Sequence, residues 1–129
     1  MRSAPSAAPL LAANASGEAL KTVLASLEDA KAEGTTTIDI RNKSSIGDHM
    51  VVTSGRSHRH VGAIAVRLIG DLKGAGFGPI RVEGLPNCDW VLIDAGDLIV
   101  HVFRPEVREF YNLEKMWSAE SYAERRAQA

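Results

Sequence analysis

Two apolar runs, Trp90 to Ile93 and Leu98 to Phe103, are separated only by Asp94-Ala95-Gly96-Asp97, and this spacing constrains the fold more than any other feature. Short runs rich in β-branched and aromatic residues, punctuated by Asp and Gly, read as the arms of a β-hairpin. Gly96 suits the last position of a three-residue loop, Asp94-Ala95-Gly96, because that position takes a left-handed backbone. The loop predicts a register in which Ile93 faces Asp97, Leu92 faces Leu98, Val91 faces Ile99, Trp90 faces Val100 and Asp89 faces His101. One sheet face then carries Leu92, Trp90, Leu98, Val100 and Val102, and the other Ile93, Val91, Ile99 and Phe103. Neither is polar, so both must be covered, by helices, a second subunit or a binding partner.

The flanking sequence supplies helices. Ser16 is placed to cap one in which Leu20, Val23, Leu24 and Leu27 recur at helical spacing, with Gly34 as its end. Thr35 to Ile40 and Met50 to Thr53 read as strands joined by a polar turn from Asn42 to Asp48. After Gly55, Ser57 caps a second helix with Val61, Ile64, Ala65, Leu68, Ile69 and Leu72 in one stripe, closed by Gly74, Gly76 and Gly78. Ile80-Arg81-Val82 is a short strand, and Pro105 starts a closing helix that ends near Asn112. The order is α-β-β-α-β-β-β-α. It predicts a single α/β (α+β) domain over residues 16–117, with a mixed five-stranded sheet and packed helices. Residues 1–15 read as a disordered Ala/Ser/Pro extension and 118–129 as a flexible tail. Pro5 and Pro9 interrupt the apolar stretch that a signal peptide would need.

With 129 residues, 45% hydrophobic, 24% charged and a net charge of −1, the chain has the composition of a soluble domain. A protein gripping phosphate backbones would carry a basic excess, so protein partners are favoured over sequence-specific nucleic acid. No run reaches the length of a membrane span. The single cysteine, Cys88, excludes an internal disulfide and fits a reducing, cytoplasmic compartment.

No catalytic, cofactor or metal site is expected. Asp89 opposite His101 reads as a cross-strand ion pair, each partner favouring the charged form of the other, with no nucleophile nearby. His58 and His60, two apart on a helix, point to different sides and suit solvated first-turn residues better than a metal. The segment Thr53 to Ser57 lacks the spacing of a phosphate-binding loop and reads as a turn with a cap. Asp39, Asp48, Asp89, Asp94 and Asp97 include no pair spaced to share a metal ion. Trp90 and Trp117, with Phe110 and Tyr111, are the candidates for an interface, although in so small a domain Trp90 reads equally well as core.

Five ordered blocks carry a resemblance to a known family: Lys43-Ser44-Ser45-Ile46-x-Asp48; Thr53-x-Gly55-x-Ser57-x-Arg59-His60-Val61; Val82-Glu83-Gly84; Asp89 through Val102; and Tyr111-x-Leu113-Glu114-x-x-Trp117. The chain resembles the ribosomal silencing factor, or Iojap-like, family from about Ser16 to Trp117. It departs at Pro86 to Cys88, where the entry to the hairpin differs. The resemblance implies a nucleotidyltransferase-like fold without catalysis, and a factor that binds the large ribosomal subunit through its ribosomal protein number fourteen. Such a factor blocks subunit joining and represses translation when nutrients are scarce; self-association as a homodimer is also implied. The partner-binding residues expected are Asp89, Trp90, Asp94, Asp97, His101 and Tyr111, with basic partner side chains meeting the acids. A nucleotidyltransferase-like nucleotide-binding protein and a dimeric assembly scaffold are the competing readings.

Overall fold

The computed structural model describes residues 8–41 and 47–113. Its elements are α1 (Ala8–Asp29), β1 (Glu33–Asp39), β2 (His49–Ser54), α2 (His58–Gly74), β3 (Arg81–Glu83), β4 (Trp90–Asp94), β5 (Leu98–Phe103) and α3 (Pro105–Tyr111). This is the predicted order, in a mixed sheet of five strands arranged β1-β2-β5-β4-β3. All neighbouring strands are antiparallel except β2 and β5, which run parallel at the centre. β5 is buried at every position, as a strand covered on both faces must be.

Both long helices end through the same backbone device. At α1 the N–H of Ala32 reaches Leu27 O and that of Lys31 reaches Glu28 O, with Lys31 at a φ of 63°. At α2 Phe77 reaches Leu72 O and Gly76 reaches Lys73 O, with Gly76 at 90°. A left-handed residue that turns the chain back on the last carbonyls ends a helix cleanly. Lys31, and not Gly34, therefore ends α1. Gly34 lies inside β1 at a φ of 59°, where two residues oppose one of β2, so it forms a bulge. The helix also begins earlier than its expected cap: Ser16 lies within α1, and the extension assigned to residues 1–15 is helical from Ala8. Residues 1–7, the Lys43 to Ile46 block, Glu114, Trp117 and the tail 118–129 lie outside the described residues.

The hairpin register differs from the sequence expectation by three residues. Trp90 pairs with Phe103, Val91 with Val102, Leu92 with His101, Ile93 with Val100 and Asp94 with Ile99. The loop is a two-residue turn, Gly96-Asp97, closed by the Ala95 N–H on Leu98 O at 2.9 Å. Gly96 supplies the positive φ of 93° at the first central position, as a II′ turn needs. An odd shift exchanges faces. Val91, Ile93, Leu98, Val100 and Val102 now share one face and join Val51 beneath α1 and α2, in a core that includes Val23, Leu27, Val61, Ile64, Leu68 and Leu72. Trp90, Leu92, Asp94, Ile99, His101 and Phe103 share the other.

That second face has thinner cover. Its buried cluster is Ile40, Met50, Val52 and Phe103, with Ile38, Trp90, Val107 and Leu113 partly buried around it. Among the described residues, the sheet thus has one face sealed by two helices and one face crossed only by the seven-residue α3.

Candidate partner-binding face

Trp90 opens β4 on the less covered face, and side chains from two other elements, β5 and α3, converge on it. Its ring lies 4.9 Å from that of Phe103, 5.8 Å from His101 and 4.7 Å from Tyr111 on α3. Phe103 and His101 stack below it at 5.8 Å. Phe103 is fully buried, Trp90 half-buried, Tyr111 48% exposed and Phe110 79% exposed. The result is a graded aromatic plate, anchored in the sheet and open at its outer edge. Rings of this size present large contact area with few rotatable bonds, which suits a docking surface.

His101 belongs to the plate but does not present itself to a partner, being 8% exposed. Trp90 Nε1 donates to His101 Nδ1 at 2.9 Å, so that nitrogen is the acceptor and the imidazole is neutral with its proton on Nε2. Burial holds its pKa down at about 4. The expected ion pair with Asp89 is absent because the true register puts Leu92, not Asp89, opposite His101.

Asp89 is engaged inside the molecule. Its Oδ1 lies 2.7 Å from His58 Nε2 and accepts from Arg104 Nε at 3.0 Å, while its main-chain carbonyl accepts the Arg104 N–H at 3.2 Å. These contacts, His58 first, lower the carboxyl pKa. His60 is equally committed, with Nδ1 accepting from Arg56 N at 2.9 Å and Nε2 donating to Ala30 O at 3.0 Å. Both histidines therefore tie elements together, and neither is a free first-turn residue.

Asp94 is half-buried and accepts the Gly96 N–H at 2.9 Å, which steadies the turn, whereas Asp97 is exposed at the hairpin tip. Trp90 and Tyr111 are in direct contact, but Asp94 lies at the other end of β4 and Asp97 in the turn beyond it. The residues singled out by sequence thus form an aromatic group and a separate acidic tip. Beside Trp90, a recess of about 260 Å³ is lined by Glu83, Gly84, Trp90 and Leu92. On α3 a second recess, of about 450 Å³, is lined by Glu106, Glu109 and Phe110. Leu92, Glu83, Glu106 and Glu109 were missed because their place at the rim depends on strand register and on where α3 lies.

The turn between β2 and α2 offers no cradle for phosphate. A Cβ at Gly55 would come within 2.8 Å of Val61 N and 2.9 Å of Val61 Cγ2, so this glycine lets α2 pack against the strand. Ser57 Oγ accepts the His60 N–H at 3.1 Å and acts as the cap. No group of three or more His, Cys, Asp or Glu side chains able to hold a metal ion occurs among the described residues.

Fold and face together define a small α+β protein with an aromatic, acid-rimmed sheet surface of the kind used to bind another macromolecule. Comparison with known proteins narrows this class. The family described as "Ribosomal silencing factor during starvation" matches residues 13–129, and the chain belongs to it. It is 55% identical over 98 residues to "Ribosomal silencing factor RsfS" of Zymomonas mobilis, covering 76% of this chain and 74% of that protein. The mouse protein "Mitochondrial assembly of ribosomal large subunit protein 1" is 36% identical over 84 residues, covering 63% of this chain and 37% of that one. A crystal structure of a Chromobacterium violaceum protein superposes with a TM-score of 0.77 at 38% identity, covering 78% of this chain and 84% of that one. The names these relatives carry speak of ribosome silencing and assembly, not of a chemical reaction.

Proposed function

We propose that this protein silences translation by binding the large ribosomal subunit through its ribosomal protein number fourteen and obstructing the small subunit. Family membership supports the ribosome as partner, and the name of the mouse relative supports the large subunit in particular. The observation that carries the reading is the plate around Trp90, a sheet face that α3 covers only in part, with Tyr111 and Phe110 at its open edge. Glu83, Glu106 and Glu109 at its rim, and Asp94 and Asp97 at the hairpin tip, favour a basic protein surface. A steric block needs a long-lived complex and no turnover. The protein acts in the cytoplasm, in the compartment of its target; among the described residues no helix is long and apolar enough to cross a membrane.

Cosedimentation with purified large and small subunits tests the reading. The expected result is capture by the large subunit alone, and inhibition of subunit joining at the same protein concentrations. Capture by the small subunit only, or by neither, would overturn it.

A further inference from the structure

α3 is the element that completes the aromatic plate, yet little apolar burial holds it in place. It has seven residues and none of them is fully buried. A helix this short does not persist on its own in water. Val107 and Tyr111 are its apolar contacts with the sheet, through the Phe103 cluster and Trp90 respectively.

Two arginines one helical turn apart supply a second kind of attachment. Arg104, at the N-cap, is held by Asp89 through Nε at 3.0 Å and Nη2 at 3.0 Å, and binds Glu106 at 2.7 Å. Asp89 is itself held by His58, so this attachment reaches from the residue just before β4 to the first turn of α2. Arg108 extends the other way. Its Nη1 donates to Ser54 Oγ at 2.9 Å and to Glu33 O at 3.5 Å, and its Nη2 to Thr36 Oγ1 at 3.4 Å. The guanidinium passes directly over the Gly34 bulge, where a Cβ would lie 3.1 Å from Nη1. One arginine therefore ties α3 to the residue before β4 and to α2, and the other ties it to β1 and β2. Planar guanidinium groups with several fixed donors suit this work better than lysine would.

We infer that Arg104 and Arg108 are positioning residues, a two-point clamp that seats α3 across the open sheet face and so sets Tyr111 against Trp90 for the partner. Their side chains act through the helix they hold. The inference rests on the proposed function for its consequence at the ribosome, but the clamp itself is a property of the free protein. It also reassigns Asp89 from partner contact to internal anchor.

The test uses the full chain with single variants Arg104→Ala, Arg108→Ala and Asp89→Asn, and the double variant Asp89→Asn with Arg104→Ala. Amide exchange in α3 and the chemical shifts of the Tyr111 ring are read in the free protein, and large-subunit affinity is read by cosedimentation. Each single variant should raise α3 exchange tenfold or more and move the Tyr111 resonances, with exchange in β2 and β5 unchanged. The double variant should be no worse than Arg104→Ala alone, because both changes break one link. Affinity for the large subunit should fall about tenfold, and Arg104→Lys should restore part of it. Unchanged α3 exchange in both arginine variants would overturn the clamp, and a fall in affinity with α3 still protected would assign the arginines to direct contact instead. If the unaltered protein failed to bind large subunits, the proposed function would fall while the exchange data still decided the clamp.

Discussion

Gly84 lies so close to the main-chain carbonyl of Trp90 that no side chain fits between them, and its φ of 93° is one that other residues rarely adopt. The loop between β3 and β4 can turn here only because this residue lacks a Cβ. Gly84→Ala should therefore be among the most damaging single-methyl changes in the chain, costing roughly 3 kcal/mol or more through strain at a special backbone position. Urea unfolding of the purified variant measures this. A loss below about 1 kcal/mol would mean that the loop relaxes without displacing Trp90.

His101 makes stability sensitive to mild acid. Its pKa is about 4 in the folded chain against 6.5 in an unperturbed state, so between these values the unfolded chain binds more protons. Its contribution is complete above about pH 6.5, declines as the pH falls, and is fully lost below about 4, amounting to roughly 3 kcal/mol. Asp39, lowered to about 2 chiefly by its hydrogen bonds with Arg41, and Asp89, held below its ordinary value by His58 and Arg104, lose their contributions further down. Unfolding free energies measured from pH 4 to 7 should slope upward, and His101→Leu should flatten that slope.

Trp90 has two separable roles. Trp90→Phe keeps a ring on Phe103 and Tyr111 but removes the donor to His101, and should cost about 1 kcal/mol of stability. Trp90→Ala removes the ring and should cost about 3 kcal/mol, toward the low end for aromatic truncation because the residue is only half-buried. Large-subunit capture should survive the first change better than the second. Cosedimentation together with thermal unfolding separates the two effects.

The hairpin tip is suited to a charge test. Asp97 is exposed, so Asp97→Lys should change stability by less than about 0.5 kcal/mol. The same substitution should weaken capture by a basic partner surface and reduce the salt dependence of that capture. Equal binding at low and high salt by the unaltered chain would remove the acidic tip from the interface.

Ser57→Ala should cost about 1 kcal/mol, because its Oγ accepts the His60 N–H at the start of α2. His60 bridges Arg56 and Ala30 from the same turn, so exchange of the amides around the α1–α2 corner should rise as well.

Much of the architecture was written in local patterns. Helical spacing identified the stripe of α2, with Val61, Ile64, Ala65, Leu68 and Leu72 buried as read and Ile69 half-buried at its edge. β-branched runs bounded by turn residues located the strands, and Ser57 and Pro105 marked the starts of α2 and α3. These features depend on residues a few positions apart, which is the range that sequence periodicity reports.

Register and site geometry did not follow from the sequence. Gly96 tolerates either a three-residue loop or the two-residue turn that forms, and both faces of the hairpin are apolar, so neither turn chemistry nor patterning distinguished the two. The choice is made by long-range packing: β5 runs parallel to β2, setting Val51 beside Val100 and Thr53 beside Val102, and α1 and α2 bury that face. The same choice moved His101 beneath Trp90, left Asp89 to His58 and Arg104, and brought Arg108 over Gly34. Sequence alone determined the order and type of the elements, though not the early start of α1 at Ala8, because those preferences are local. Tertiary structure alone decided which side chains meet, because a one-residue change of register reverses every face at almost no local cost.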